Sequence, residues 1–257
     1  MEAEKSIIGE IVEKYENYTR ASFIRLLRKL KKSLENAVRL NHRRVLVISG
    51  DNPEISGILT ARSLVEFSKV LKKLGTSTES NIEVLYVYHS DMPHARLRRG
   101  IVEELVKRKT KKVKIKFIDY SQSEDYLGTT FNSLVMDLNE DLRPNDLGRM
   151  IGVVKGGGLI VLQTPSWNGW DKKLTLFQLS LATPQHPREE VRNIFKKWFK
   201  MKLKEHHGIF IYDADNFRTI KSCIDKRIEV LPASSHRSIV IPENCLLYTS
   251  PSPRDRG

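Results

Sequence analysis

The sequence predicts an α/β fold built on a mainly parallel sheet, and three observations carry that expectation. The first is the run from Leu134 to Leu162, where a short apolar strand ends at Asp137 and a second, Leu159 to Leu162, follows. Between them Leu147, Met150, Ile151 and Val154 fall at i, i+3, i+4 and i+7, one apolar stripe of a helix. A strand, a helix and a strand with a tight return are most simply a parallel crossover. The second is repetition, because further strand-like runs at 44–48, 83–88, 112–118 and 209–212 are separated by helical patterns. The third is size, since 257 residues with 40% hydrophobic content can bury a real core. The expected architecture is a Rossmann-like three-layer sandwich with a basic helix at its amino end.

Taken in order, Ser22 to Asn41 reads as a helix whose apolar face is Phe23, Leu26, Leu27, Leu30, Leu34 and Val38. Arg25, Arg28, Lys29, Lys31 and Lys32 fill much of the rest. Such a helix lies on RNA or acidic lipid, or simply turns a solvated back to water. Arg44 to Ile48 is the first strand, and Asn52-Pro53 has the form of a helix start, a capping side chain followed by proline. Ile55, Ile58, Leu59 and Val65 supply that helix's buried stripe.

A strand, a glycine and a helix invite a nucleotide, but Gly50 and Gly57 are not followed by Lys-Ser or Lys-Thr. No G-x-G-x-x-G is present, and Asp51 and Glu54 would repel a phosphate. The junction reads as structural. Glu83 to Tyr88 is the next strand, followed by a helix carrying Ile101 and Leu105. His89, Asp91 and His94 share no helical register, so they read as turn residues rather than metal ligands. Lys114 and Lys116 alternate with Val113, Ile115 and Phe117, which places this strand towards an edge.

In the central unit Asn145 or Asp146 is the expected helix cap, and Gly156-Gly157-Gly158 the expected helix stop, glycine alone taking positive φ cheaply. The loop after Leu162 holds Trp167 and Trp170 at the carboxyl end of a buried strand, where α/β sheets place ligands. The two rings either stack a base or pin the loop. Leu174 to Leu181 reads as a short helix. Arg188 to His206 reads as a longer one, with Phe195, Trp198, Phe199 and Leu203 among Lys196, Lys197, Lys200, Lys202 and Lys204. Basic residues interleaved with aromatics suit RNA, and the same spacing suits a core face. Gly208 and the strand Ile209 to Tyr212 follow.

Lys and Arg number 44 against 31 Asp and Glu, a net charge of +13, which favours polyanions, RNA above all. No apolar run reaches the roughly 18–20 residues of a membrane helix, the amino end has no signal-peptide pattern, and two cysteines, Cys223 and Cys245, make no disulfide framework. The expected location is the cytoplasm. The expected organisation is an N-terminal helical segment at 1–42, an α/β domain at 43–228 and a linker at 229–245. The string at 246–257 reads as a non-native tail, and the chain as truncated near Cys245.

The run Asp137 to Leu162, with LRPNDLGR and the triple glycine, resembles the amino-terminal domain of archaeal tRNA(Met) cytidine acetyltransferases. RRVLVISGD, YLGTT, TPSWNGW, LFQLSLATP and GIFIYDAD agree in the same order. The resemblance implies an RNA cytidine N4-acetyltransferase using acetyl-CoA and ATP/Mg, with tRNA as substrate. It also implies downstream ATPase and acetyltransferase modules as this domain's partners. The chain has no Walker A lysine loop and no acetyl-CoA pyrophosphate loop, so no catalytic, cofactor or metal residue is expected here. The candidate RNA contacts are Arg25, Arg28, Lys29, Lys32, Lys196, Lys197, Lys200 and Lys202, and Trp167 and Trp170 mark the candidate ligand loop. The alternatives are a class I S-adenosylmethionine-dependent methyltransferase, for which the first turn is short of glycine, and a non-enzymatic RNA-binding module.

Overall fold

The computed structural model describes residues 2–15, 20–75 and 81–222. Its elements are α1 (Glu2–Tyr15), α2 (Ala21–Arg39), β1 (Arg44–Ser49), α3 (Pro53–Lys73), β2 (Ile82–Tyr88), α4 (Pro93–Lys109), β3 (Val113–Asp119), β4 (Phe131–Asp137), α5 (Pro144–Gly152), β5 (Val154–Thr164), α6 (Leu176–Ser180), α7 (Ile194–Glu205), β6 (Ile209–Asp213) and β7 (Arg218–Lys221). 3₁₀ helices occupy Tyr120–Tyr126 and Arg188–Glu190. The strands form one sheet in the order β3-β2-β4-β5-β1-β6-β7, parallel throughout except for the β6–β7 pair. The mainly parallel α/β sandwich is therefore present, with β3 at the edge.

Period-two alternation divides the core into two layers. Leu46, Ile48, Tyr86, Val135, Leu159, Val161, Phe210 and Tyr212 face α2, α3 and α4. Val47, Leu85, Leu134, Met136, Ile160, Leu162 and Ile211 face α5, α7 and the tryptophan loop. The amino-terminal helices are part of this body: α2 buries Phe23, Leu26, Leu30 and Leu34 in the first layer. All described residues belong to one compact unit. The expected linker and tail, and both cysteines, lie outside the described residues.

At the start of α3, Asn52 Oδ1 accepts from the backbone N–H of Glu54 and Ile55 at 2.9 and 3.1 Å, with Pro53 in the first turn. The central crossover differs from its expected form in two ways. The residue before α5 is Arg143, with no side-chain cap, and Pro144 opens the helix; Asn145 and Asp146 lie inside it. The glycines do not end it either. α5 stops at Gly152, Val154 already begins β5, and the triple glycine sits within that strand. The β4–β5 register passes from Phe131↔Val154 to Ser133↔Leu159, so Gly156–Gly158 lie in a bulge.

Close approach explains why glycine is required there. Gly157 has φ +79° and donates its N–H to His42 O at 2.8 Å. A Cβ on Gly156 would lie 2.8 Å from Asn41 O, and one on Gly157 3.0 Å from Val38 Cα. The carboxyl end of α2 rests on this bulge.

Candidate nucleic-acid interface

With Phe23, Leu26, Leu30 and Leu34 buried, the helical period turns Arg25, Arg28, Lys29 and Lys32 outward, and all four are exposed. Among the described residues no carboxylate pairs with any of them, and Lys29 Nζ donates to Ser222 Oγ at 3.2 Å. The acids near this helix are taken by other lysines: Glu35 by Lys73 at 2.7 Å and Glu66 by Lys31 at 2.8 Å. The Lys73 hydrogen bond holds the Glu35 carboxyl below its usual range. The four cations thus form an uncompensated row along one helix.

The lysines of α7 are placed differently, and on the opposite face of the sheet. Lys196 is 2% exposed and donates to Lys173 O at 2.5 Å. Lys200 is held on Asp171 at 2.5 Å, and Lys202 pairs with Glu205 at 2.7 Å. Of the four candidate contacts on α7, Lys197 alone is exposed and without an ion pair among the described residues. Burial takes Lys196 out of reach of a polyanion, and a flat RNA contact cannot cover α2 and α7 together.

Desolvation lowers the Lys196 ammonium from 10.5 to about 8. The unfolded chain binds this proton more readily than the folded one, so folding gains stability as pH rises from about 8 to 10.5. Lys196→Met lacks that gain. Its melting temperature relative to wild type should therefore fall as pH rises through this window, whereas a difference independent of pH would mean that Lys196 is not held in a desolvated site.

The two tryptophans are core residues. Trp167 is 4% and Trp170 1% exposed; their ring centroids lie 6.1 Å apart, and Trp170 meets Phe199 edge-on at 6.0 Å. They pin the loop and present no face for base stacking. The ring that does reach solvent is Trp198, 50% exposed, which the helical spacing had assigned to the core face.

The carboxyl edge of the sheet, where α/β enzymes bind cofactors, carries acids. Asp51 Oδ1 accepts from Ser166 N at 3.2 Å, and Asp51 N donates to Asp215 Oδ1 at 3.1 Å. Burial, with the neighbouring Asp51 and Asp213 charges, raises the Asp215 carboxyl above its usual range. A Cβ on Gly50 would lie 2.9 Å from both Ala214 Cβ and Asp215 Oδ1, so the turn after β1 is closed by the turn after β6. With Asn52 on the amides of Glu54 and Ile55, the turn after β1 presents carboxylates rather than open amides at the start of α3. His89 lies against the Tyr120 ring, centroids 4.6 Å apart, and among the described residues no His/Cys/Asp/Glu group is placed to hold a metal. Among them, too, no helix is long and apolar enough to cross a membrane.

Fold and surface together define a doubly wound, mainly parallel α/β domain with a cationic helix on one face and a closed, acidic carboxyl edge. Residues 18–214 match the family described as tRNA(Met) cytidine acetyltransferase TmcA, N-terminal, and the chain belongs to that family. Among curated relatives, the tRNA(Met) cytidine acetyltransferase of Thermofilum pendens is 34% identical over 195 residues, covering 76% of this chain and 23% of that protein. Those of Methanopyrus kandleri and Pyrococcus abyssi are each 33% identical, over 73% and 82% of this chain and 22% and 26% of theirs. The chain thus spans about a quarter of the length of these relatives. A solved structure described as a candidate caffeoyl-CoA O-methyltransferase from Staphylococcus aureus aligns over 75% of this chain and 88% of its own, with TM-score 0.32 and 10% identity.

Proposed function

We propose that this chain is the amino-terminal, RNA-contacting scaffold of an RNA cytidine N4-acetyltransferase acting on tRNA in the cytoplasm, and that it is non-catalytic by itself. In the whole protein the acetyl group would come from acetyl-CoA, with ATP/Mg consumed in further modules that are this domain's partners. Membership of the family supports the enzyme class. The row Arg25, Arg28, Lys29 and Lys32, which no carboxylate among the described residues neutralises, supports the RNA contact. The closed, acidic turn after β1 supports the reading that cofactor chemistry lies in other modules, and it favours that reading over a methyltransferase. A plain RNA-binding module with no enzyme attached uses the same surface, and family membership favours the acetyltransferase over it.

The test is salt-dependent tRNA binding. Reversing Arg25, Arg28, Lys29 and Lys32 to Glu should weaken binding at least about tenfold at low salt and flatten the salt dependence by roughly 0.7–0.9 per lost phosphate contact. Reversing Lys197 and Lys204, exposed on the other face, should change little. Equal binding by wild type and the α2 variant would remove the RNA role.

A further inference from the structure

A pocket of about 170 Å³ lies at the amino edge of the sheet, where the β5 bulge meets the carboxyl ends of α2 and α3. Asn41, Asn132 and Lys155 line it, and among the described residues no carboxylate does. The β4–β5 register leaves Asn132 opposite the bulge that contains Lys155. Asn132 is 7% exposed, and its Oδ1 accepts from the Glu83 backbone N–H at 2.9 Å. That bond fixes the amide's orientation, since only the oxygen accepts. Nδ2 is left as a donor without a partner among the described residues, and it is not sealed from solvent. Asn41 and Lys155 are exposed, and neither side chain bonds to another described residue. A buried amide donor held open beside an ammonium suits a negatively charged acceptor. The carboxyl ends of α2 and α3 each bring about half a negative charge. Arg39, Lys72 and Lys155, all exposed and none paired with a carboxylate among the described residues, outweigh it.

We infer that this pocket holds one phosphate of an RNA backbone, with Asn132 Nδ2 and the Lys155 ammonium as its donors. The inference rests on the RNA-contacting reading above and adds a fixed point to it. Size selects the group, because the volume is well below the roughly 300–1,000 Å³ of pockets that take a whole small ligand. Charge selects it too, because a backbone phosphate carries one negative charge, which Lys155 matches. Position ties the pocket to α2. Arg39 closes that helix, two turns beyond Lys32 on the same face and about 10 Å further along the axis. Just past it, His42 O accepts the Gly157 N–H of the bulge at 2.8 Å. An RNA strand lying along Arg25, Arg28, Lys29 and Lys32 therefore passes Arg39 and arrives at the pocket.

Proton–nitrogen correlation spectra of the full chain test the inference, with tRNA titrated in one series and inorganic phosphate in another, against chloride of equal ionic strength. The Asn132 side-chain amide and the Lys155 backbone amide should shift with tRNA, and with phosphate only at millimolar concentration. Lys155→Glu should weaken tRNA binding about tenfold and remove the Asn132 shift, and Lys155→Gln should weaken it about threefold and lower the salt slope by roughly 0.7–0.9. Asn132→Asp keeps the acceptor for the Glu83 N–H but replaces the donor, and should also weaken tRNA binding about tenfold. Melting temperatures check that each variant is folded. Shifts with phosphate and none with tRNA would make the pocket a free-anion site and overturn the RNA assignment. A folded Lys155→Glu variant with wild-type tRNA affinity and salt slope would overturn it as well. If the α2 reversal still abolishes tRNA binding in that case, the pocket fails alone; if neither variant has an effect, both readings fail.

Discussion

Arg98→Ala is expected to destabilise the domain by about 3–5 kcal/mol, the usual effect of stranding one partner of a buried ion pair. Arg98 Nε lies 2.6 Å from Asp137 Oδ2, with the two side chains 2% and 1% exposed. Asp137 closes β4, and Asn139 donates to its other carboxylate oxygen from both its backbone N–H and Nδ2, at 3.2 and 2.8 Å. The Tyr120 hydroxyl donates to the Asp137 backbone carbonyl at 3.1 Å. Removing the guanidinium leaves a buried carboxylate with only neutral donors. Arg98→Met combined with Asp137→Asn removes both charges and should cost less than Arg98→Ala alone, because what hurts is the unpaired charge. Urea denaturation measures this, and a single variant within about 0.5 kcal/mol of wild type would show that the pair holds nothing together.

The second large effect lies in the β5 bulge. Gly158→Ala drives a Cβ into Val154 Cγ1 and places it 2.6 Å from Asn132 O and 2.9 Å from Lys155 O. Two of the three are backbone atoms, which cannot swing aside, so a loss of about 3 kcal/mol or more is expected. Gly157→Val meets positive φ and the Val38 Cα at 3.0 Å and should cost about 1–3 kcal/mol. Gly148 in α5 is the control: a Cβ there meets nothing within 4 Å, so Gly148→Ala should be neutral or stabilising by up to about 1 kcal/mol. Thermal or urea unfolding giving the same midpoint for all three would mean that the bulge does not require glycine.

Strands and their order along the chain were legible because apolar runs such as Arg44 to Ile48 and Leu159 to Leu162 are continuous, as parallel strands buried on both faces must be. The start of α3 was legible for a local reason, Asn52 before Pro53. The role of the triple glycine was not, because it depends on the end of α2 and on Asn132, partners distant in sequence. Val154 matched the α5 stripe by spacing alone, yet it pairs with Phe131 as the first residue of β5. Among the candidate contacts, α2 could be read from its period. Its clean apolar face leaves the cations nowhere but outside, and the structure puts Arg25, Arg28, Lys29 and Lys32 there. α7 could not, since Lys196 turns inward to a backbone carbonyl of the tryptophan loop, and nothing in a lysine's own identity announces that.

Lysine footprinting tests the central claim most directly: the chain is labelled with an amine-reactive ester in the presence and absence of tRNA, and each lysine is read by mass spectrometry. Protection of Lys29 and Lys32 on α2, with Lys197 and Lys204 on α7 labelled as in the free protein, is the expected result. Protection confined to α7, or no tRNA-dependent change at any lysine, would contradict it.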